Sequence, residues 1–178
     1  MTQPRPTCAE IERAIRNIPD FPKPGIQFKD ITPVLADARL FSGSIELMTQ
    51  NYRPGMVDAV IGIDARGFIF AAAAAIKLHA GFVPIRKKGK LPYQTHEQEY
   101  NLEYGTATVA VHVDALKPGS RILLIDDLLA TGGTAAAAAA LTQKLGATIL
   151  EISFLIELGF LNGRQKLKQY PVRSLVVF

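Results

Sequence analysis

The sequence predicts an α/β fold, with a mainly parallel sheet flanked by helices, and three observations carry that expectation. Short apolar runs rich in β-branched residues alternate with helix-like segments, the order that builds parallel sheets. Most of those runs are continuously apolar, as strands covered on both faces are. Two alanine-rich stretches, residues 71–75 and 135–140, fall between the runs, where the best helix former among the residues favours close packing on a sheet.

Taken in order, residues 8–17 read as a helix. Phe21-Pro-Lys-Pro-Gly25 is too rich in proline for regular structure and reads as an extended segment within an N-terminal arm of about 33 residues. Residues 38–52 read as a helix and 59–63 as a buried strand, followed by a helix over 68–78 and a strand over 82–85. Residues 90–105 are polar and carry neither helical nor strand periodicity, so they read as a long flexible lid loop. Residues 106–113 come closer to alternation and suggest an antiparallel or edge strand. Leu116-Lys-Pro-Gly-Ser120 is a turn feeding a strand over 121–125, which is expected to end just before two carboxylates. A helix over 135–145 stops at Gly146, and strands over 148–156 and 173–178 complete the chain.

Length and composition fit this reading. A chain of 178 residues, 48% hydrophobic and 20% charged, suits one domain with a core that needs no staples. Cys8 is the only cysteine, so no intramolecular disulfide can form. The N-terminal residues show no signal-peptide pattern. The longest uncharged apolar run, residues 67–76, is about half of what a membrane-spanning helix needs. A cytoplasmic protein is expected. The net charge of +4 is mildly basic, which suits a polyanionic small molecule as well as nucleic acid. His79, His96 and His112 have no metal-ligand spacing.

The most informative stretch is Ile-Leu-Leu-Ile-Asp-Asp-Leu-Leu-Ala-Thr-Gly-Gly-Thr, residues 122–134. In an open α/β sheet, ligands bind at the carboxyl ends of strands, which is where this stretch should lie. Gly132 and Gly133 allow positive φ and close backbone approach. Thr131 and Thr134 can donate hydroxyls, and the following helix offers free N–H groups to a phosphate. Asp126 and Asp127 are wrong for phosphate but right for sugar hydroxyls, since an ionised carboxylate only accepts hydrogen bonds. The chain has no Gly-x-x-x-x-Gly-Lys-Ser/Thr loop and no Gly-x-Gly-x-x-Gly after a strand. Residues 122–134 therefore point to a ribose 5-phosphate site.

These residues resemble the phosphoribosyl pyrophosphate signature of the type I phosphoribosyltransferases, most nearly of the members that act on adenine. Further segments match in order: Phe-Pro-Lys-Pro-Gly-Ile-Gln-Phe-Lys-Asp-Ile-Thr-Pro at 21–33, Asp-Ala-Arg-Gly-Phe at 64–68, Arg-Lys-Lys-Gly-Lys-Leu-Pro at 86–92 and Leu-Glu-Tyr-Gly at 102–105. The resemblance implies the type I fold with a small N-terminal hood and a lid. It also implies transfer of a 5-phosphoribosyl group from phosphoribosyl pyrophosphate to adenine, with Mg²⁺ brought by the substrate pyrophosphate and a homodimer as the assembly.

The same resemblance distributes the roles. Ala130, Thr131, Gly132, Gly133 and Thr134 would hold the 5-phosphate, and Asp126 and Asp127 the ribose hydroxyls. Ala65, Arg66 and Gly67 would bind pyrophosphate. Arg86, Lys87 and Lys90 would add positive charge there, with that basic run reaching toward a neighbouring subunit's site. Phe28 and Leu128 would sandwich adenine while Gln27 and Lys29 meet its edge through backbone groups. Glu103 would move the proton at the base ring. No protein ligand to a metal is expected. Relatives acting on hypoxanthine carry an acid where this chain has Ala130, which argues for adenine. A family glycine is replaced by Ala71, a change expected to touch packing only. Two other readings stay open: another base as acceptor, or a non-catalytic sensor of phosphoribosyl pyrophosphate that binds nucleic acid. The short N-terminal arm leaves little room for a nucleic-acid-binding appendage, so neither nucleic acid nor membrane is expected as a partner.

Overall fold

A computed structural model describes residues 4–101 and 105–178. The chain divides into two compact units, Met1–Leu47 and Met48–Phe178.

In the first unit, helix α1 (Cys8–Ala14) opens on a reciprocal capping box. The Thr7 side chain accepts from the Glu10 N–H at 3.2 Å, and Glu10 accepts from the Thr7 N–H at 2.9 Å. Arg39 donates to Glu10 at 2.7 Å, tying α3 (Ala38–Met48) to α1. Protein hydrogen bonds lower the Glu10 carboxyl to about 2. Between these helices, β1 (Arg16–Ile18) pairs antiparallel with β2 (Phe28–Asp30), followed by a short helix α2 (Thr32–Ala36). Ile11, Ile31 and Val34 are buried. Helix α1 is shorter than expected because the chain turns extended at Ile15 and enters β1. β1, β2 and α2 are too short to leave a periodic signature in the sequence.

The second unit is built on a seven-stranded sheet in the order β5-β6-β4-β3-β7-β8-β9. Its strands are β3 (Ala59–Ile63), β4 (Gly81–Lys87), β5 (Thr95–Asn101), β6 (Thr106–His112), β7 (Arg121–Leu129), β8 (Thr148–Glu157) and β9 (Val172–Val177). β4, β3, β7, β8 and β9 run parallel, while β6 and β5 add antiparallel at one side. Helix α4 (Gly67–Leu78) follows β3, and α5 (Gly133–Lys144) follows β7. Ile61, Ile63, Ile122, Leu124, Ile152 and Phe154 pack with Ala138 and Leu141 in one core.

The alanine runs do what small side chains allow. Ala71, Ala74 and Ala75 of α4 are buried, as are Ala135, Ala137, Ala138 and Ala139 of α5. A side chain on Gly62 of β3 would come within 2.8 Å of the Ala71 Cβ, so the strand gives up its own side chain where the helix presses closest.

Two expectations need correction. Residues 95–101 form a strand rather than structureless loop, pairing along their whole length with β6 from Thr95–His112 to Asn101–Thr106. That strand lies at the sheet's edge and is mostly exposed, so no apolar alternation marks it; β6, read as antiparallel or edge, is antiparallel and interior. Likewise β7 does not end at Ile125. It continues through Leu129, because β8 goes on pairing with it at Asp126–Phe154 and Leu128–Ile156. Among the described residues, no helix is long and apolar enough to cross a membrane.

Candidate active site

Two strand–loop–helix units stand side by side at the carboxyl edge of the parallel strands. β3 and β7 are hydrogen-bonded neighbours, with Gly62 opposite Ile125. The chain leaves β3 through α4 toward β4 on one side, and leaves β7 through α5 toward β8 on the other. This divergence is the switch point at which open α/β sheets place their ligands. The segments 64–67 and 126–134, far apart in sequence, meet there.

They meet closely. A side chain on Gly67 would stand 2.5 Å from Asp126 Oδ1 and 3.1 Å from the Ile125 carbonyl oxygen. Only glycine lets the start of α4 press against β7 here. Arg66 Nε lies 3.0 Å from Asp127 Oδ2, and Arg86 Nε, at the end of β4, donates to Asp64 Oδ2 at 3.2 Å. Arg86 also donates to the Lys90 carbonyl at 3.0 Å, folding the basic run back on itself. The structure thus brings Arg66, Arg86 and the Lys90 backbone to the same edge. Lys87 follows Arg86 on β4 and is exposed, its side chain directed to the opposite sheet face by strand alternation. The Asp64–Ala65 peptide is cis.

Asp126 and Asp127 sit inside β7, and the side chain of the first holds the backbone of the second: the Asp127 N–H donates to Asp126 Oδ1 at 2.9 Å. Burial and then the neighbouring Asp127 carboxylate push the Asp126 carboxyl well above the ordinary carboxylate range, with Arg66 pulling the other way. A ligand that hydrogen-bonds here meets one carboxylate held by an arginine and a second that is costly to ionise.

Beyond Leu129 the chain turns through Ala130, Thr131 and Gly132 into α5. Gly132 takes φ of 76°, the left-handed region that favours glycine. No side chain caps α5, so its first N–H groups lack the usual intrahelical or capping acceptor. With Asp126 and Leu128, this loop lines a concavity of about 70 Å³. A ring of backbone N–H groups at a helix N-terminus, with threonine hydroxyls beside it, is fitted to a phosphate.

Of the residues expected to contact a base, Leu128 is half-buried on β7 next to this loop. In the N-terminal unit, Gln27 is exposed ahead of β2, and Phe28 and Lys29 lie half-buried on β2. Phe28 makes an edge-to-face contact with Phe21 at 5.1 Å between ring centroids. Glu103 lies outside the described residues.

Several neighbours of the loop at 130–134 have no counterpart in the sequence reading. The Asn101 carbonyl oxygen and Tyr100 Cδ2 both lie 3.2 Å from where a Gly133 side chain would begin, and Lys166 Nζ lies 3.9 Å from it. Gly163 is buried directly behind the loop. Asn162-Gly163 marks a turn in any sequence, but nothing in the dipeptide says which loop it will touch.

A family model described as "Phosphoribosyl transferase domain" matches residues 32–176. Adenine phosphoribosyltransferase from Acidothermus cellulolyticus is 58% identical over 162 residues, covering 91% of this chain and 92% of that protein. The crystal structure of adenine phosphoribosyltransferase from Thermoanaerobacter pseudethanolicus superimposes with a TM-score of 0.92 at 51% identity, over 97% of this chain and 100% of that one. The enzyme of that name from Saccharomyces cerevisiae, complexed with D-2,5-dideoxy-2,5-imino-altritol 1,6-bisphosphate and adenine, gives 0.89 at 38% identity over 94% of this chain and 97% of that one.

Proposed function

This chain belongs to the phosphoribosyl transferase domain family, among its adenine phosphoribosyltransferases, and on that premise we propose how its site works. The reaction moves the 5-phosphoribosyl group from phosphoribosyl pyrophosphate to adenine, giving AMP and pyrophosphate. One C–O bond breaks at the anomeric carbon and the pyrophosphate leaves with the electron pair. A bond from a ring nitrogen of adenine forms at that carbon, and the base loses a proton. The observation that carries the assignment is the meeting of segments 64–67 and 126–134 at the carboxyl ends of β3 and β7.

The 5-phosphate is assigned to the N–H groups and hydroxyls of Ala130, Thr131, Gly132, Gly133 and Thr134, and the ribose hydroxyls to Asp126 and Asp127. Pyrophosphate is assigned to Ala65, Arg66 and Gly67, with Arg86 and Lys90 adding positive charge, while Lys87, on the opposite face of β4, is assigned to a neighbouring subunit's site. Developing negative charge on the leaving group is what such cations stabilise in a low-dielectric cleft. Gln27, Phe28, Lys29 and Leu128 are assigned to the base.

Glu103 is assigned to proton transfer at the base. A positioned carboxylate of this kind contributes roughly 10²–10⁴-fold. Glu103→Ala should therefore lower turnover by about that factor while leaving ribose 5-phosphate binding intact. Equal turnover in variant and wild type would remove Glu103 from the chemistry.

Mg²⁺ fits the donor chemistry, being a hard cation that takes oxygen ligands. The ion would arrive with the substrate, its ligands drawn from pyrophosphate and ribose oxygens, while Asp126 and Asp127 hold the ribose hydroxyls rather than the ion. Bound there, the ion would neutralise charge on the leaving group. A homodimer in the cytoplasm completes the proposal. Ile69 and Ile76 lie seven positions apart on one face of α4, and with Phe82 of β4 they leave apolar surface exposed, Ile76 to 79%. Sedimentation should give twice the mass of one chain.

The test of the whole reading is pyrophosphate release with adenine, hypoxanthine, guanine and orotate as acceptors. Release with adenine alone is expected. Release with another base and none with adenine would overturn the choice of acceptor.

A further inference from the structure

The turn that backs the phosphate loop has the geometry of a built support. Gly163 is buried, in a short 3-10 segment, Gly163–Leu167, that follows Asn162 in the left-handed conformation at φ 52°. A side chain on Gly163 would begin 2.9 Å from the Gly132 nitrogen and 3.0 Å from the Ala130 carbonyl carbon, and would run into the Ala130 oxygen itself. Seen from the other side, a side chain on Gly132 would begin 3.0 Å from the Gly163 carbonyl carbon and 3.2 Å from its Cα, overlapping its oxygen. The two glycines face each other backbone to backbone. Gly163 does not have positive φ, so its own conformation would accept alanine. What excludes a side chain is the loop.

The support is itself anchored. Arg164, the next residue, donates from Nε to Glu157 Oε1 at 3.0 Å and from Nη1 to the Val172 carbonyl at 2.8 Å; its Nη2 bonds the other Glu157 oxygen. Ser174 donates to Glu157 at 2.6 Å. Glu157 is 7% exposed at the end of β8 while the Arg164 side chain keeps 45% of its surface in solvent, so the pair is directional and shielded on its carboxylate side. The Leu158 N–H donates to the Leu129 carbonyl at 2.9 Å, joining the root of the turn to the last residue of β7. β7, the loop, the turn and β8 thus form a closed frame.

We propose that Gly163, clamped by the Arg164–Glu157 pair, is a positioning residue that presets the backbone of residues 130–132 for the 5-phosphate group. This rests on the assignment of that loop to the 5-phosphate. Backbone N–H groups cannot rotate to find a misplaced ligand as a lysine can, so their placement must be imposed from behind.

The test measures ribose 5-phosphate and pyrophosphate binding by calorimetry, alongside steady-state kinetics. In Gly163→Ala the dissociation constant for ribose 5-phosphate should rise by about 10–100-fold, the range that a displacement of order 1 Å produces. KM for phosphoribosyl pyrophosphate should rise more than kcat falls, and pyrophosphate binding should stay unchanged. Arg164→Met leaves Gly163 in place but loosens the clamp, so it should show the same selective loss to a smaller degree, with Arg164→Lys recovering part of it. Arg164→Met also decides the matter if Gly163→Ala does not fold. Folded variants that bind ribose 5-phosphate as wild type does, or that lose both ligands equally, would overturn the support role. Failure of the wild-type protein to bind ribose 5-phosphate would instead overturn the loop assignment beneath it.

Discussion

The two strand–loop–helix units at the switch point are built alike and hold charge in opposite ways. After β7, the loop into α5 has no charged residue between Leu128 and Ala140, and offers N–H groups fixed by Gly132 and backed by Gly163. After β3, the loop into α4 carries Asp64 and Arg66, and its arginine and that of β4 are already engaged with carboxylates. One unit is preorganised in its backbone. The other stores its cations in ion pairs, which a polyanion must reorganise as it binds. The first kind of site gives geometry; the second gives charge that responds to what arrives.

That contrast can be broken most sharply at Gly132. Gly132→Ala demands a left-handed alanine in space already occupied by Gly163, so ribose 5-phosphate affinity should fall by about 100-fold or more. Titration calorimetry would read this directly, and an affinity within about threefold of wild type would mean that the loop adapts rather than presents a fixed cradle.

A smaller and differently distributed effect is expected at Arg66. Arg66→Gln removes one charged donor, worth about tenfold or somewhat more in affinity for pyrophosphate and phosphoribosyl pyrophosphate. Ribose 5-phosphate binding should hold within about twofold, because its cradle is backbone. Equal losses for all three ligands would show that the two units act as one.

The smallest effect concerns stability and pH. The Asp126 carboxyl is raised in the folded protein, so it ionises at higher pH there than in the unfolded chain. Over that window the unfolded state binds fewer protons, and stability falls as pH rises through it. Asp126→Asn keeps an oxygen to accept the Asp127 N–H and removes the cost of ionisation. Its Tm at pH 7 should exceed wild type by about 2–4 °C, and the gain should shrink toward acid pH. A gain of the same size at every pH would mean that ionisation is not its source.

How much of this was legible beforehand follows from where apolar periodicity reaches. Residues 59–63, 121–125 and 148–156 announced themselves because both of their faces are covered. Asp126 and Asp127 suggested a strand end, since carboxylates rarely sit inside a buried strand, yet β8 holds β7 in register past them. The loop at 130–134, proposed to hold the 5-phosphate, was legible as a tight glycine turn into a helix, since Gly132 takes positive φ. Gly163 and Lys166 were not, because their importance is a matter of tertiary approach across 30 residues or more from Gly132 and Gly133. A chain carries no local signal for a neighbour that only the finished fold supplies. Ala71 is an intermediate case: its packing effect was anticipated, but its partner, Gly62, had to be seen.

The polar outer strand has a further consequence. β5 borders the sheet with backbone donors and acceptors that another molecule's strand could satisfy. Its sequence, Thr-His-Glu-Gln-Glu-Tyr-Asn, places Glu97 and Glu99 on that border, both exposed. Like charges brought into register would repel a second copy of the same strand. The composition that hid this strand from a hydrophobicity reading therefore also disfavours pairing with a second copy along that edge.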